Sequence, residues 1–273
     1  MIDLEVNAAI ACRILASFIH DEVSKVGKRG VVVALSGGVD SALAAWLAVE
    51  GLGAGAVLGV ALPYRQSSPE SLGDARAVAE TLGLELLEVD ISPQIDAYFE
   101  TRPEADRTRR GNKMARERMS ILYDVSAERE ALVLGTSNKS ELLLGYSTLW
   151  GDSAHALNPL GDLYKTQVYQ LARHLGLPKR VLEKPPSADL FPGQSDEAEL
   201  GFGYADADLV LFQLVDQRRR PEEVVAEGAD PELVQLVRGR IRATQFKRRL
   251  PLIAKLSQRS VGQDFRYPRD WGH

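Results

Sequence analysis

The chain is predicted to be an α/β protein: a doubly wound parallel sheet with a helical C-terminal region. Three observations carry that prediction. Val31-Val32-Val33-Ala34-Leu35 is an unbroken apolar run of strand length, the mark of a strand covered on both faces. Strand-like and helix-like segments alternate from there to Leu134, the sequence sign of a parallel sheet flanked by helices. After Gly135 the strand pattern stops and helical segments take over. Apolar residues make up 45% of the 273 and charged residues 26%, which suffices for a sizeable core and excludes disordered and fibrous classes.

Taken in order, Leu4, Ala8, Ala11, Leu15 and Phe18 have the three-or-four spacing of an amphipathic helix within residues 1–26. The strand from Val31 is followed by a glycine turn and an apolar helix from about Ser41 to Val49. Strands are expected at Val57–Leu62, Leu84–Ile91 and Ala131–Leu134, with helices at Ser71–Leu82 and from Met114 to about Glu128. A polar stretch around 101–113 precedes the latter helix. Lys165–Leu175 reads as a helix closed by Gly176 and Pro178. Residues 184–205 are rich in proline, glycine and acids and read as a long mobile loop. Helices follow near 206–218, 221–227 and 231–244, the last with Asp230-Pro231 as cap and first-turn proline. The expected organisation is one domain over 1–273, with the sheet core in about 28–180, the mobile loop in 184–205 and the helical region in 206–250.

Charge and cysteine usage narrow the classes of function. A formal net charge of −5 argues against a chain built to coat nucleic acid. The mixed charges of residues 102–118 come with no separate RNA-binding module. The lone thiol, Cys12, excludes an intramolecular disulfide and fits a reducing cytoplasm. Residues 1–23 lack the layout of a signal peptide, and no apolar run reaches the roughly 18 residues of a membrane span. The four histidines (His20, His155, His174 and His273) are scattered, without zinc-ligand spacing.

The chemistry begins at Ser36-Gly37-Gly38-Val39-Asp40-Ser41, between a buried strand and a helix. Adjacent glycines let backbone N–H groups approach an anion, and the helix N-terminus adds positive potential. No Gly-Lys-Ser/Thr follows, so this is not a Walker A loop. The segment resembles the pyrophosphate loop of the ATP pyrophosphatases, which cleave ATP to AMP and pyrophosphate. On that resemblance, the loop's N–H groups with Ser36 and Ser41 hold the pyrophosphate half of ATP, and Asp40 beside phosphates implies Mg²⁺.

Further blocks narrow the resemblance. Gly135-Thr136-Ser137-Asn138-Lys139-Ser140-Glu141 follows the fourth strand and runs on to Gly145-Tyr146 and Gly151-Asp152. Tyr164-Lys165-Thr166-Gln167, Lys184-Pro185-Pro186-Ser187-Ala188-Asp189, Gly193-Gln194-Ser195-Asp196-Glu197 and Phe246-Lys247-Arg248-Arg249 keep order and spacing after it. Together they look like NAD synthetase, over about residues 31–268, with an adenine nucleotide alpha hydrolase-like sheet. That family adenylates deamido-NAD (nicotinic acid adenine dinucleotide) with ATP, then lets ammonia displace AMP to give NAD. The resemblance implies a carbon–nitrogen ligase with Asp40 and Glu141 as Mg²⁺ ligands. It places Ser36, Gly37, Gly38, Val39, Asp40, Ser41, Thr136, Lys165 and Ser187 on ATP. Arg116, Asp152, Phe246 and Lys247 fall on deamido-NAD, and Asp152 and Lys165 are the catalytic candidates. Read without the family, Glu141 could be a solvated residue at a strand end, Arg116 and Arg118 exposed helix residues, and Lys247–Arg249 a solvated charge run. Arg118 is left undecided, and His155 could be functional or simply exposed. Whether Asp152 acts directly or only shapes the pocket also stays open.

The chain departs from the ammonia-dependent pattern at Ala61, Leu149, Ala156 and Phe246, where that pattern has Arg, Lys, Asp and His. Pro63…Ser67-Ser68, Ser147–Asp152 and the tail after Lys247 look closer to the synthetase domain of glutamine-dependent members. No glutaminase nucleophile accompanies them, so ammonia must be free or come from a separate glutaminase subunit. A homodimer in the cytoplasm is implied, with no nucleic-acid or membrane partner. The rival readings are another adenylating enzyme (a GMP-synthetase-like amidation or a tRNA modification) and a nucleotide-binding paralogue without catalysis.

Overall fold

The computed structural model describes residues 4–191, 193–261 and 264. His273 and the end of the family-like stretch at 268 lie outside the described residues.

Helix α1 (Ala8–Lys25) starts at Asn7, whose side chain accepts from the Ile10 amide. Strand β1 (Val31–Ala34) leads through the glycine turn into α2 (Val39–Leu52). Then come β2 (Val57–Ala61), α3 (Pro69–Leu82), β3 (Glu85–Glu88), α4 (Ser92–Glu100), α5 (Arg107–Glu128) and β4 (Leu132–Leu134). All pairings are parallel and the strand order is β3-β2-β1-β4. β1 shows why its run is apolar throughout. Its Val31 and Val33 pack into a cluster with residues of α1, α2 and α3 on one face, and Val32 packs with α4 and α5 residues on the other. The expectation of a doubly wound parallel sheet is therefore met.

Beyond β4 the chain forms α6 (Lys139–Leu144), α7 (Lys165–His174), α8 (Lys179–Leu182), α9 (Asp196–Leu200), α10 (Tyr204–Leu211), α11 (Pro221–Ala226) and α12 (Pro231–Ala243). Leu144, Tyr204, Leu211, Val224 and Val237 join Leu4 in a third apolar cluster, which fastens the C-terminal helices to the sheet domain. No described helix is long and apolar enough to cross a membrane.

Local boundaries depart from the sequence reading for identifiable reasons. α5 begins at Arg107 and not at Met114, inside the polar stretch, because Asp106 caps it by accepting from the Arg109 amide and Arg107 and Arg110 stack on Phe191 and Phe99. α4 lacks an N-terminal side-chain cap, and its one start signal in the sequence is Pro93 in the first turn. The helix expected at 206–218 is an α-helix that widens into a π-helical turn over Phe212–Asp216. Within 184–205 lies the short α9, the strand expected at Leu84–Ile91 narrows to four residues, and His155 packs its ring against Gly135 behind the loop after β4.

The strand order creates a switch point. From β1 the chain moves one way through β2 and β3, then crosses back to place β4 on the other side of β1. At such a point the loops leaving the two carboxyl ends diverge and open a crevice. Here those loops are Ser36–Gly38 and Gly135–Asn138.

Candidate active site

Gly37 adopts φ +77°, and a Cβ there would lie 2.4 Å from the Ser71 carbonyl oxygen and 2.9 Å from the Asp74 Cβ. The turn therefore requires glycine. Gly37→Ala should cost more than the ~1–2 kcal/mol of the left-handed conformation alone, because α3 must also shift. Thermal unfolding with and without ATP checks this: a lower Tm together with lost ATP stabilisation is the expected pair. Gly38 precedes α2 with extended backbone and no side-chain cap, so the first amides of α2 remain available to an anion. Ser36 and Ser41 face each other, with hydroxyl oxygens 3.1 Å apart, and Ser41 donates to the Gly38 carbonyl at 3.0 Å.

Asp40 lies in the first turn of α2. Across the switch point Asn138 caps α6: it accepts from the Glu141 amide at 3.0 Å, while Glu141 Oε2 accepts from the Asn138 amide at 3.1 Å. The remaining Asn138 Nδ2–H donates to Asp40 Oδ1 at 2.9 Å, which ties the two loops together. Lys165, the first residue of α7, inserts its ammonium between the two carboxylates. Nζ is 2.5 Å from Asp40 Oδ2 and 3.3 Å from Glu141 Oε1, and the side chain is only 3% exposed. Burial raises the Glu141 pKa, Asp40 raises it further, and Lys165 pulls it back. Burial pulls Lys165 the other way, but Asp40 and Glu141 outweigh it and hold the ammonium charged.

Ser36, Gly38, Asp40, Ser41, Glu141 and Lys165 line a cavity of about 520 Å³, large enough for a nucleotide. Thr136, Ser187, Asp152 and Lys247 line it too. Asp152 is open to the cavity space yet closely surrounded by protein, which raises its carboxyl pKa, and its Oδ1 accepts from the Thr148 amide at 2.7 Å. Lys247 donates to the Gly145 and Ser147 carbonyls at 2.7 and 2.5 Å. Residues Lys184–Asp189 form a wall of the cavity. Lys184 donates to Ser71 Oγ at 2.8 Å and to Asp74, and the Ser68 amide donates to Asp189 Oδ1 at 3.2 Å.

Two expected residues are not brought to the cavity. Arg116 points to the surface and donates to the Leu149 carbonyl, and Phe246 is 60% exposed beside Lys247. Arg118 lines the cavity instead, donating to the Leu62 carbonyl at 2.9 Å near the end of β2, where Ala61 supplies no charge. Burial pushes its guanidinium down to about 10, against the pull of Asp189 and Asp152. The sequence held the signal: Arg118 falls three residues after Ala115 and four before Leu122, on the inward stripe of α5, whereas Arg116 falls off it. Asn138 and Asp196 join the site without having been expected there. Asn138 is legible in the sequence only as the start of an Asn-x-x-Glu capping box.

The residues present fit Mg²⁺. Their donors are carboxylate oxygens, and two carboxylates share a single cation. No cluster of three or more His, Cys, Asp or Glu side chains suited to a metal occurs among the described residues. Mg²⁺ habitually takes one or two carboxylates and completes its shell with water and phosphate oxygens.

Comparison with known proteins gives the family. The sequence pattern of the NAD synthase family matches residues 11–251. An "NH(3)-dependent NAD(+) synthetase" of Trichlorobacter lovleyi is 54% identical over 98% of each chain. The structure of an NH3-dependent NAD synthetase from Campylobacter jejuni superposes with a TM-score of 0.79 at 34% identity, covering 92% of this chain and all of the other. That of an NMN synthetase from Francisella tularensis gives 0.81 at 29% identity, over 92% and 99%. The match over most of its length and the relative at more than half identity place this chain in the NAD synthase family.

Proposed function

We propose that this chain is an ammonia-dependent NAD synthetase, a carbon–nitrogen ligase that amidates deamido-NAD with ATP and ammonia and yields NAD, AMP and pyrophosphate. The observation that carries the proposal is the Lys165 ammonium held between Asp40 and Glu141 at the end of a glycine turn whose helix amides await an anion. Whole-length relatives that bear this name support the reading.

A carboxylate is a poor electrophile, so the reaction needs two displacements. A carboxylate oxygen of deamido-NAD first attacks the α-phosphorus of ATP and expels pyrophosphate. Ammonia then attacks the acyl carbon, AMP leaves, and one proton is lost. The turn Ser36–Ser41 would hold the pyrophosphate half of ATP, with Thr136 and Ser187 as further ATP contacts. Lys165 would place positive charge against phosphate as the leaving group develops. Asp40 and Glu141 would hold Mg²⁺, which when bound neutralises phosphate charge. Arg118 and Lys247, both cavity-lining cations, would meet the anionic dinucleotide. Asp152, with its pKa raised by burial, is suited to take the proton that ammonia loses. Residues 184–205 would act as a mobile cover that keeps water from the acyl-adenylate.

The nitrogen would arrive as ammonia, free or from a separate glutaminase subunit. Cys12 supports this, since the only thiol is buried in α1 and burial raises its pKa. The same reading extends to a single synthetase domain over 1–273, a homodimer and a cytoplasmic location, all supported by family membership.

Adenylation can be tested alone. Without ammonia, labelled pyrophosphate should exchange into ATP only when deamido-NAD is present, and exchange independent of deamido-NAD would refute the order of steps. The placement of Arg118 is separately testable. Arg118→Gln should raise KM for deamido-NAD by about 10-fold or more, the worth of one hydrogen bond to a charged group. Arg116→Gln should leave it within about twofold, as for a residue away from the site.

A further inference from the structure

The ammonium of Lys165 can serve only if the first turn of α7 is held still. α7 itself contributes only Gln167, whose Oε1 accepts from the Tyr164 amide at 2.9 Å and leaves the Lys165 and Thr166 amides without a partner from α7. The residue before it is Tyr164, not Ser, Thr, Asp or Asn. The missing partners come from two other helices. The Lys165 amide donates to Ser140 Oγ of α6 at 2.9 Å, and the Thr166 amide donates to Asp208 Oδ2 of α10 at 2.9 Å. Ser140 in turn donates its single hydroxyl proton to Asp208 Oδ1 at 2.5 Å. Because that proton is committed to Asp208, the Ser140 oxygen is left to accept from Lys165.

Asp208 is fully buried, and a hydroxyl and an amide donate to it where a charged partner would be the usual companion of a buried carboxylate. A carboxylate so placed is costly to bury, and an apolar side chain in α10 would serve packing equally well. What a carboxylate adds is a cap that carries negative charge at the N-terminus of a helix. α10 also reaches Lys165 from a second direction: the Tyr204 ring centroid lies 5.4 Å from Nζ.

We infer that Asp208 is a positioning residue of the synthetase reaction: through Ser140 and the Thr166 amide it fixes the first turn of α7, and thereby the placement of the Lys165 ammonium. The inference rests on the reading of Lys165 as a phosphate contact. It makes the C-terminal helical region part of the active-site scaffold, because a residue of α10 sets the geometry of a group on α7.

The experiment measures calorimetric binding of ATP and of AMP to the full chain and to Asp208→Asn, Ser140→Ala and Val210→Ala. Asn fits the volume of Asp but has one acceptor oxygen for two donors, so either Ser140 or the Thr166 amide then faces an NH2 group. Val210 is a buried α10 residue of the third apolar cluster, so its truncation reports what loosening the helix alone does. Asp208→Asn and Ser140→Ala should each weaken ATP by about 10-fold and leave AMP unchanged, because only ATP carries the pyrophosphate that Lys165 would meet. Val210→Ala should lower Tm without altering the ATP-to-AMP ratio. Equal weakening of both nucleotides, or of neither, overturns the inference. If Asp208→Asn does not fold, the ratio for Ser140→Ala decides alone. Ammonium-dependent NAD formation by the wild type, run alongside, tells the two readings apart: its absence sinks the synthetase proposal, while the binding ratio still judges Asp208.

Discussion

Asp40→Asn should abolish detectable AMP and pyrophosphate formation, lowering kcat by at least about 10²-fold, the usual cost of one group that stabilises developing charge. Asparagine keeps an oxygen for Asn138 Nδ2, so the tie between the two loops survives. What disappears is the negative charge that Lys165 now meets and that Mg²⁺ would need. Stability should change little, because the charge that raises Glu141 goes with it. An AMP-release assay paired with thermal unfolding checks both halves. Near-normal turnover in a folded variant would remove Asp40 from the chemistry.

Lys165→Met should be the most destabilising change at the site. Removing the shared ammonium leaves two poorly exposed carboxylates facing each other. Breaking a buried pair from one side costs about 3–5 kcal/mol. The cost depends on pH with a definite sign. Glu141 already has a folded-state pKa above its ordinary value, and Lys165 is one of the influences holding it down. In the variant the folded state binds a proton that the unfolded state has released, so stability falls as pH rises from about 5 to 8. The wild type loses stability in the same way until its own Glu141, pushed up to about 8, ionises, so the deficit in Tm against wild type should be larger at pH 9 than at pH 6. A deficit independent of pH would mean that the two carboxylates do not share the site as described.

Much of this is legible in the sequence because backbone constraints leave few choices. The pair Gly37-Gly38 marks a turn whose first position no side chain could enter, and the run from Val31 marks a strand covered on both faces. The invisible parts depend on partners far along the chain. α7 is capped by Ser140 and Asp208, which lie 25 and 42 residues from their partner amides, so no local pattern announces them. α5 starts among arginines that carry no apolar period, and stacking on Phe191 and Phe99 supplies the contacts that a period would have signalled. Arg116 and Arg118 are hard to tell apart for a different reason: both sit in the same motif, and only the buried stripe of α5 separates them.

If this cavity joins ammonia to an ATP-activated carboxylate of deamido-NAD, the direct measurement is NAD and AMP formation by the purified chain. The assay supplies Mg·ATP and deamido-NAD and compares ammonium with glutamine as nitrogen source. NAD and AMP should form in equal amounts with ammonium, and none should form with glutamine. AMP formed only with nicotinic acid mononucleotide in place of deamido-NAD would contradict it.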